Sequence, residues 1–219
     1  MVAEIISIGT EILLGNIVNT NASFLAQKCA DLGVSCYYQQ VVGDNADRLK
    51  DALKLALSRS ELILMSGGLG PTEDDISKET AAEVMNKKLV MHEPSKQAIQ
   101  VYFDRKYNHA GTEIPESNWK QAMMPEDALV LDNPNGTAPG AIISDNGKHV
   151  VLMPGPPNEM MPMFESYVAP FIQQLEPGLI YSRTVKECGI GESMAEEMIK
   201  DLIDSQTNPT VATYAKTGE

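Results

Sequence analysis

Short apolar runs alternate with amphipathic stretches along the first half of the chain. Three runs have the apolar or β-branched character of strands: Ile5–Ile8, Val34–Val42 and Leu62–Met65. After each run, apolar residues recur every three to four positions, which predicts helices beginning near Asn19, Asp44 and Asp74. Strands that alternate with helices build βαβ units. The pattern therefore predicts an α/β fold, a three-layer sandwich in which helices cover both faces of a mainly parallel sheet.

The second half of the chain carries a hairpin signal between helical stretches. The residues Asp145-Asn146-Gly147 join two β-type runs, and Asn-Gly is the dipeptide that two-residue hairpin turns prefer. Apolar spacing predicts helices over 94–107 and 116–123, and a third helix after the prolines at 154–157. The expected apolar face of that third helix consists of Met161, Phe164, Val168, Phe171 and Leu175.

The residues Glu176-Pro177-Gly178 are typical of a domain boundary. We therefore expect an α/β domain over 1–176 and a small α+β piece over 177–219. The piece should contain a strand over 181–188, a helix over 192–203 and a strand-like segment over 210–215. About 40 residues of this kind are too few to bury a core of their own.

Charge and composition exclude several classes of protein. The chain has 219 residues, is 43% hydrophobic and has a formal net charge of -13. The hydrophobic content is that of a globular protein, and the acidity argues against nucleic acid or an anionic membrane as partner. No apolar run is long enough to span a bilayer, the N-terminus lacks a signal peptide, and three cysteines do not pair evenly. We therefore expect a cytoplasmic protein.

A glycine-rich loop follows the third predicted strand directly. Its sequence is Ser66-Gly67-Gly68-Leu69-Gly70-Pro71-Thr72-Glu73-Asp74-Asp75. In open α/β sheets, ligands bind outside the carboxyl ends of the strands, and glycines let backbone N–H groups approach an anion. The loop lacks the lysine of a P-loop and the spacing of a dinucleotide fingerprint. The alternative is a purely structural turn, in which Asp74 or Asp75 caps the next helix.

The aspartates of this loop would repel a phosphate unless a cation accompanied it. Mg²⁺ is commonly held by one or two carboxylates together with substrate phosphates. Asp74 and Asp75 are therefore candidate ligands of a divalent ion, and Asp44, which follows the second strand, is a third. Asp44 is equally well explained as a helix cap.

Further polar loops follow other predicted strands and complete a candidate pocket rim. Gly9, Thr10 and Glu11 end the first strand, Asn135 and Gly136 lie in a rigid loop, and Pro154, Gly155, Pro156 and Pro157 follow the hairpin. Each of these loops is also compatible with turn chemistry alone. For Asn19 and Asn21, N-capping is the favoured interpretation.

Four ordered segments together resemble the N-terminal part of the competence/damage-inducible CinA family. The segments are Ile8–Gly15, Val42–Asp44, Ser66–Asp75 and Pro154–Met160. Two later segments, Gly189–Ser193 and Val211–Ala215, resemble the start of the KH-like middle domain of that family. The C-terminal deamidase domain of CinA proteins has no counterpart in this sequence, so we expect no deamidase activity.

The resemblance implies a molybdopterin-binding-like (MoCF) fold, often oligomeric, here a homodimer or homotrimer. It implies a metal-dependent pyrophosphatase that splits ADP-ribose into AMP and ribose 5-phosphate, with Mg²⁺, or alternatively Co²⁺ or Mn²⁺. Cofactor-synthesis relatives end the glycine loop in Arg-Asp, whereas this sequence has Asp74-Asp75. Asp75 and Asp44 match acidic residues of these relatives, and Asp74 replaces the basic one. That departure disfavours molybdopterin chemistry.

The resulting hypothesis assigns a role to each candidate residue. Asp75 and Asp44 are the catalytic carboxylates, and Asp74 joins them as a metal ligand. Glu11 would orient the attacking water. The substrate-binding set is Gly9, Thr10, Ser66, Gly67, Gly68, Leu69, Gly70, Pro71, Thr72, Asn135, Gly136, Pro154, Gly155, Pro156 and Pro157. Two alternatives stay open: a domain that binds or adenylylates molybdopterin or a nucleotide, and a non-catalytic interaction module.

Overall fold

The structure is a computed structural model that describes residues 1–107, 109, 111, 113–175, 183–207 and 209–214. The chain divides into two compact units, residues 1–180 and 181–219. The strands are β1 Val2–Ile8, β2 Ser35–Val42, β3 Leu62–Ser66, β4 Leu89–Met91, β5 Met123–Pro125, β6 Leu129–Leu131, β7 Gly140–Asp145 and β8 Lys148–Met153. The helices are α1 Thr10–Leu13, α2 Thr20–Asp31, α3 Ala46–Arg59, α4 Ser77–Val84, α5 Glu93–Tyr107, α6 Pro157–Met163, α7 Ala169–Leu175, α8 Glu192–Met198 and α9 Lys200–Ser205.

A six-stranded sheet forms the centre of the first unit. Its strand order is β2-β1-β3-β8-β7-β6. The first four strands are parallel, whereas β7 and β6 run antiparallel to their neighbours. Asn146 and Gly147 take positive φ angles of 47° and 75° in the β7–β8 turn, as a primed hairpin turn requires. The predicted α/β fold with a mainly parallel sheet and the predicted hairpin are both confirmed.

Successive residues of the central strands point to opposite faces, which creates two separate cores. In β3, Leu62 and Leu64 pack in one core, while Ile63 and Met65 pack in the other. Helices α2 and α6 cover the first face, and α3 and α4 cover the second. Both faces of β1 and β3 are therefore buried, which explains why these two strands are continuous apolar runs in the sequence, whereas the edge strand β2 is mostly exposed.

Side-chain caps hold the first two long helices where the sequence predicts them. The Asn19 side chain accepts a hydrogen bond from the backbone N–H of Ala22, and that of Asn45 accepts from Arg48. Gly33 ends α2 in a left-handed conformation with φ 79°. These local signals are sufficient to place both helices.

The buried face of the last helix in this unit differs from the expected one. A π-helical turn over Phe164–Val168 joins α6 to α7. A π-helical turn holds close to one residue more than an α-helical turn. Residues four positions apart therefore lie on the same side of the helix here. The buried residues are Met160, Met163, Phe164, Val168 and Ile172, so only two of the five expected residues are fully buried.

The segment between α4 and β6 in the sequence forms a small additional substructure. Strands β4 and β5 form an antiparallel pair, and α5 packs with a 3₁₀ helix over 116–122 around Ile99, Ile114 and Ala122. The helices predicted over 94–107 and 116–123 are thus present, the second as 3₁₀ helix. The three-residue strands β4, β5 and β6 are too short to show a periodic signal in the sequence.

In the described residues of the second unit, two short helices, α8 and α9, form in place of the single helix expected over 192–203. The strands expected over 181–188 and 210–215 do not form in the described residues 183–188 and 210–214. A β-strand exists only when its backbone pairs with another strand, and β-type composition alone does not supply that partner. The predicted boundary residues 176–178 lie outside the described residues, as do 181, 182 and 215.

None of the helices that the structure describes is both long and apolar enough to cross a membrane.

A buried acidic residue lies in the second core at the end of the sheet opposite the strand C-termini. Glu4 is fully buried in β1, and its carboxylate accepts hydrogen bonds from Arg59 Nε (2.9 Å), Arg59 Nη2 (2.6 Å) and Gln40 Nε2 (2.6 Å). Burial raises the pKa of Glu4, but the hydrogen bonds from Arg59, Gln40 and Ser60, together with the charge of Arg59, lower it by more. The Arg59 guanidinium also stacks over the Tyr38 ring, 3.6 Å from its centroid.

We predict that Arg59→Met destabilises the protein by about 3 kcal/mol, because it leaves the Glu4 carboxylate buried without its cation. Urea unfolding followed by circular dichroism measures this change. Arg48→Met is the matched control, since Arg48 is exposed on the same helix. Equal stability of the two variants would show that the Glu4–Arg59 pair is unimportant for the fold.

Candidate functional site

A cavity of about 530 Å³ opens at the carboxyl ends of the parallel strands. Such sheet edges are where ligands bind in open α/β folds, and the volume lies in the range of small-molecule sites. The cavity is lined by Ile8, Gly9, Glu11, Asp44, Gly67, Gly68, Leu69, Gly70, Pro71, Thr72, Asp74, Asp75, Tyr102, Phe103, Lys106, Asn118, Gln121, Gly136, Thr137, Ala138, Pro154, Gly155, Pro156 and Glu159. The predicted glycine loop and the predicted acidic residues thus meet at one cavity.

Three carbonyl groups of the glycine loop accept hydrogen bonds from residues behind the loop, on the side away from the cavity. Ser77 donates to Gly67 O through its hydroxyl (2.7 Å) and to Gly68 O through its N–H (3.1 Å). Gln121 Nε2 donates to Leu69 O at 3.3 Å. Since the C=O and N–H of one peptide point in opposite directions, the N–H groups of residues 68, 69 and 70 face the cavity. Within the described residues these three N–H groups have no acceptor.

Two glycines of this loop are required by both conformation and space. Gly67 and Gly68 have φ angles of 109° and 67°, in the region that favours glycine. A Cβ added to Gly67 would lie under 3.0 Å from the backbone oxygen of Ile8, and one added to Gly68 would clash with Ser77 Oγ. The loop therefore passes directly over the end of β1 and the start of α4.

The acidic end of the loop is a tight turn that precedes the helix. Thr72 donates its hydroxyl to the carboxylates of Asp74 and Asp75, and its N–H donates to Asp75 Oδ2 at 3.0 Å. The bond from Thr72 Oγ1 lowers the pKa of Asp74, assisted by the N–H of Asp74 itself. Helix α4 begins at Ser77 and not near Asp74, and its N-cap Ile76 offers no side-chain cap. The alternative that Asp74 or Asp75 caps this helix is therefore wrong.

Asp44 is tied to the end of β1 and not to the acidic turn. Its Oδ2 accepts hydrogen bonds from Thr10 N (3.0 Å) and Thr10 Oγ1 (2.8 Å), and Thr10 Oγ1 accepts from Asp44 N (3.2 Å). Thr10 itself lines no described cavity; it holds Asp44 at the cavity wall. Glu11, in the first turn of α1, is exposed and lines the cavity beside Gly9.

Of the other predicted rim residues, most line the cavity, and one instead hydrogen-bonds a neighbouring backbone group. Gly136 lines the cavity, whereas Asn135 lies behind it and donates through Nδ2 to Asn158 O at 2.8 Å. That carbonyl is available because Pro162, four residues on in α6, has no N–H to donate. Pro154, Gly155 and Pro156 line the cavity.

A second cavity of about 310 Å³ adjoins the first through Glu11, Gly155 and Pro156. Ser66 and Pro157 line this second cavity. Asn21, in α2, donates through Nδ2 to Ser66 Oγ (2.8 Å) and Gly155 O (2.7 Å). Its Oδ1 is the buried side-chain atom without a partner among the described residues. Asn21 thus supports the loop after β8 and is not a helix cap.

Asp74 and Asp75 can hold a metal ion only if a bound ligand supplies further coordinating oxygens. No three His, Cys, Asp or Glu side chains among the described residues are close enough together to form a metal site of their own. Asp74 and Asp75 do converge on one hydroxyl, that of Thr72. This donor set matches Mg²⁺ held by one or two carboxylates plus substrate phosphates and water.

Sequence reasoning missed one wall of the cavity. Helix α5 contributes Tyr102, Phe103 and Lys106, and the 3₁₀ helix contributes Asn118 and Gln121. In the sequence, the aromatic residues of 102–107 predict only the apolar face of a helix, and the basic residues there give no sign of a binding site. Among the lining residues, five carboxylates (Glu11, Asp44, Asp74, Asp75 and Glu159) face one cation, Lys106.

Comparisons with known families now define the class of protein. Residues 4–174 match the family described as "Probable molybdopterin binding domain". Solved structures show the same fold at low identity. They include the molybdopterin biosynthesis enzyme MoaB of Thermus thermophilus (14% identity, TM-score 0.52, 81% of this chain and 98% of that one). The tungsten cofactor synthesizing protein MoaB of Pyrococcus furiosus is similar (15%, 0.51, 80% and 95%).

Within that class the chain belongs to the CinA family, as its sequence motifs predicted. Residues 182–219 match the "Damage-inducible protein CinA KH domain". The CinA-like protein of Dictyoglomus turgidum is 53% identical over the whole chain, and that of Kosmotoga olearia is 52% identical. The chain spans about half of their length (52% of each). The solved structure of CinA, of unknown function, from Thermoplasma acidophilum is 34% identical with TM-score 0.69, covering 78% of this chain and 97% of that one.

We predict that Gly67→Ala destabilises the protein by about 3 kcal/mol or more, because strain at positive φ is joined by a clash with Ile8 O. Gly147→Ala is the matched control: its φ is 75°, but a Cβ there meets open space. Gly147→Ala should lower the free energy of unfolding by only about 1 kcal/mol, because it introduces the backbone strain without a steric clash. Thermal unfolding of both variants measures the difference, and equal losses would contradict the close approach of the loop to β1.

We predict that the buried amine of Lys78 makes stability depend on pH. Its side chain is 4% exposed, and burial lowers its pKa from 10.5 to about 8. Between these two values the unfolded chain binds more protons than the folded chain, so stability attributable to Lys78 rises with pH. From pH 8 to 10, wild type should gain about 2 kcal/mol relative to Lys78→Met. Urea unfolding at both pH values tests this, and a constant difference would refute it.

Proposed function

We propose that the cavity binds a pyrophosphate-containing nucleotide and hydrolyses it, with ADP-ribose as substrate and AMP and ribose 5-phosphate as products. One observation carries the proposal: the outward-facing N–H groups of residues 68–70 and the paired carboxylates of Asp74 and Asp75 line the same cavity. The N–H groups suit an anion, and the carboxylates suit a cation bound to it.

The charge of the cavity supports a cation as part of the substrate complex. Five lining carboxylates face one lysine, so a pyrophosphate alone would meet net repulsion. Asp74 and Asp75 would hold a divalent ion that arrives with the phosphate, and such an ion, Mg²⁺ for example, would neutralise phosphate charge and acidify a water molecule.

The chain's own residues would bind and orient the reactants. The N–H groups of residues 68–70 hold phosphate oxygens in place, and Asp75, fixed by Thr72, holds its carboxylate toward the cavity. Glu11 lies at the end of β1, where it can orient the attacking water and accept its proton. The water oxygen bonds to one phosphorus as the bridging P–O bond breaks. The bridging oxygen leaves on the other phosphate.

Two rings at the far wall of the cavity suit the nucleobase. Tyr102 and Phe103 line the cavity and lie 6.2 Å apart between centroids. A flat base can pack against such rings, and the amides of Asn118 and Gln121 lie nearby for polar contacts. Lys106, on the same helix, can approach a phosphate.

The alternative function is binding of a nucleotide or molybdopterin, with or without adenylyl transfer. The shared fold with proteins named for molybdopterin and tungsten cofactor synthesis favours it. Asp74 in the loop favours hydrolysis with a metal, since it adds a negative charge where an anion must bind. The two functions differ in products: hydrolysis releases AMP, whereas the binding function leaves the ligand intact.

We predict that Asp75→Asn lowers kcat for AMP release from ADP-ribose with Mg²⁺ by about 100-fold or more, because it removes part of the charge that holds the metal ion. Asparagine keeps the oxygen that accepts from Thr72, so the turn should persist. Chromatographic assay of AMP with and without EDTA measures the effect.

Asp51→Asn is the control for that assay, since Asp51 is exposed on α3 outside the cavity. It should retain wild-type activity. Wild-type hydrolysis in EDTA, or full activity of Asp75→Asn, would contradict the mechanism. Tight binding of ADP-ribose without AMP release would favour the alternative function.

A further inference from the structure

Two lysines lie behind the acidic turn, outside the cavity lining. Lys120, in the 3₁₀ helix, donates from Nζ to Thr72 O at 3.0 Å and also to Asp75 O. Lys78, in α4, donates from Nζ to Lys120 O at 2.7 Å and to Gln121 O at 3.3 Å. Neither lysine lines either cavity, and both are engaged with backbone carbonyls.

The bonds of Lys120 determine which way the acidic turn faces. They hold the carbonyl groups of the first and last residues of the turn, Thr72 and Asp75, from the side opposite the cavity. The carboxylates of Asp74 and Asp75 are then left on the cavity side, where both line the wall. Glu79 lies 3.8 Å from Lys120 Nζ and adds a weaker attraction on the same side.

Lys78 holds in place the backbone from which Lys120 extends. It is 4% exposed, and its ammonium group bonds two carbonyls of the 3₁₀ helix across 42 and 43 positions of sequence. Residues 120 and 121 are therefore anchored to α4 and in turn hold the segment 66–75 at two points. Lys120 bonds the acidic turn, and Gln121 bonds Leu69 O of the glycine loop.

We propose that Lys120 is a positioning residue: its ammonium group, anchored through Lys78, holds the acidic turn 72–75 so that Asp75 reaches the reacting phosphate complex. This inference rests on the proposed function and adds a residue to it that does not contact the substrate. It also explains how the Asp74 and Asp75 carboxylates are kept on the cavity side of the turn. The positive charge that holds this turn lies behind it, since Lys120 does not line the cavity.

The test compares Lys120→Met, Lys120→Gln and Lys120→Arg with Lys54→Met, an exposed lysine on α3, as control. Hydrogen exchange reports the turn directly, since the amides of Thr72 and Asp75 are bonded within it. In Lys120→Met, exchange over 70–76 should quicken while β3 stays protected. For ADP-ribose, kcat should fall by about 10- to 100-fold with KM changed less than about threefold.

Arginine can donate to both carbonyls, so Lys120→Arg should recover most of kcat, and Lys120→Gln should be intermediate. Unchanged exchange over 70–76, unchanged kcat in Lys120→Met, or equally faster exchange in β3 would overturn the proposal. Absence of ADP-ribose hydrolysis in wild type would remove the proposed function instead. The exchange comparison would still decide whether Lys120 holds the turn.

Discussion

The inward hydrogen bonding of three consecutive carbonyl groups is the constraint on which the candidate site depends. Because Gly67 O, Gly68 O and Leu69 O are bonded by Ser77 and Gln121, the N–H groups that follow them have to face the cavity. Glycine makes this path possible at two positions where a side chain would collide with β1 or α4. The anion binding proposed for this loop would thus be a property of its backbone. It needs no basic side chain in the loop.

Acidity, which at the level of the whole chain argues against nucleic acid or an anionic membrane as partner, has a local meaning at the cavity. The lining carboxylates belong to the segments that follow β1, β2, β3 and β8 at one sheet edge, and Lys120, which bonds the acidic turn, lies behind it. A site with this distribution suits a phosphate ligand that arrives with a divalent cation. The fold shared with cofactor-synthesis proteins provides the sheet edge, and the residues of the segments after the strands set the charge.

The elements that the sequence predicted well are those with strong local signals. The strands β1, β2, β3, β7 and β8 coincide with apolar runs, and Asn19, Asn45 and Asn146-Gly147 mark helix starts and the hairpin turn. The start of α4 was placed three residues early, because Asp74 and Asp75 resemble a cap but are bonded to Thr72. The face of α6–α7 was shifted by a π-turn, which the spacing of apolar residues does not reveal.

The sequence by itself determined the fold class, the glycine loop and four of the five acidic residues of the cavity, all but Glu159, because strand burial, glycine spacing and β–loop–α order are local properties. Only the tertiary structure decided which residues share a cavity and which support it. It separated Asp44, held by Thr10, from the Asp74–Asp75 turn, and added Tyr102, Phe103 and Lys106 to the lining. Lys78 and Lys120 bond to backbone carbonyls more than 40 positions away. Since every residue type offers the same carbonyl, no pattern in the sequence marks such partners.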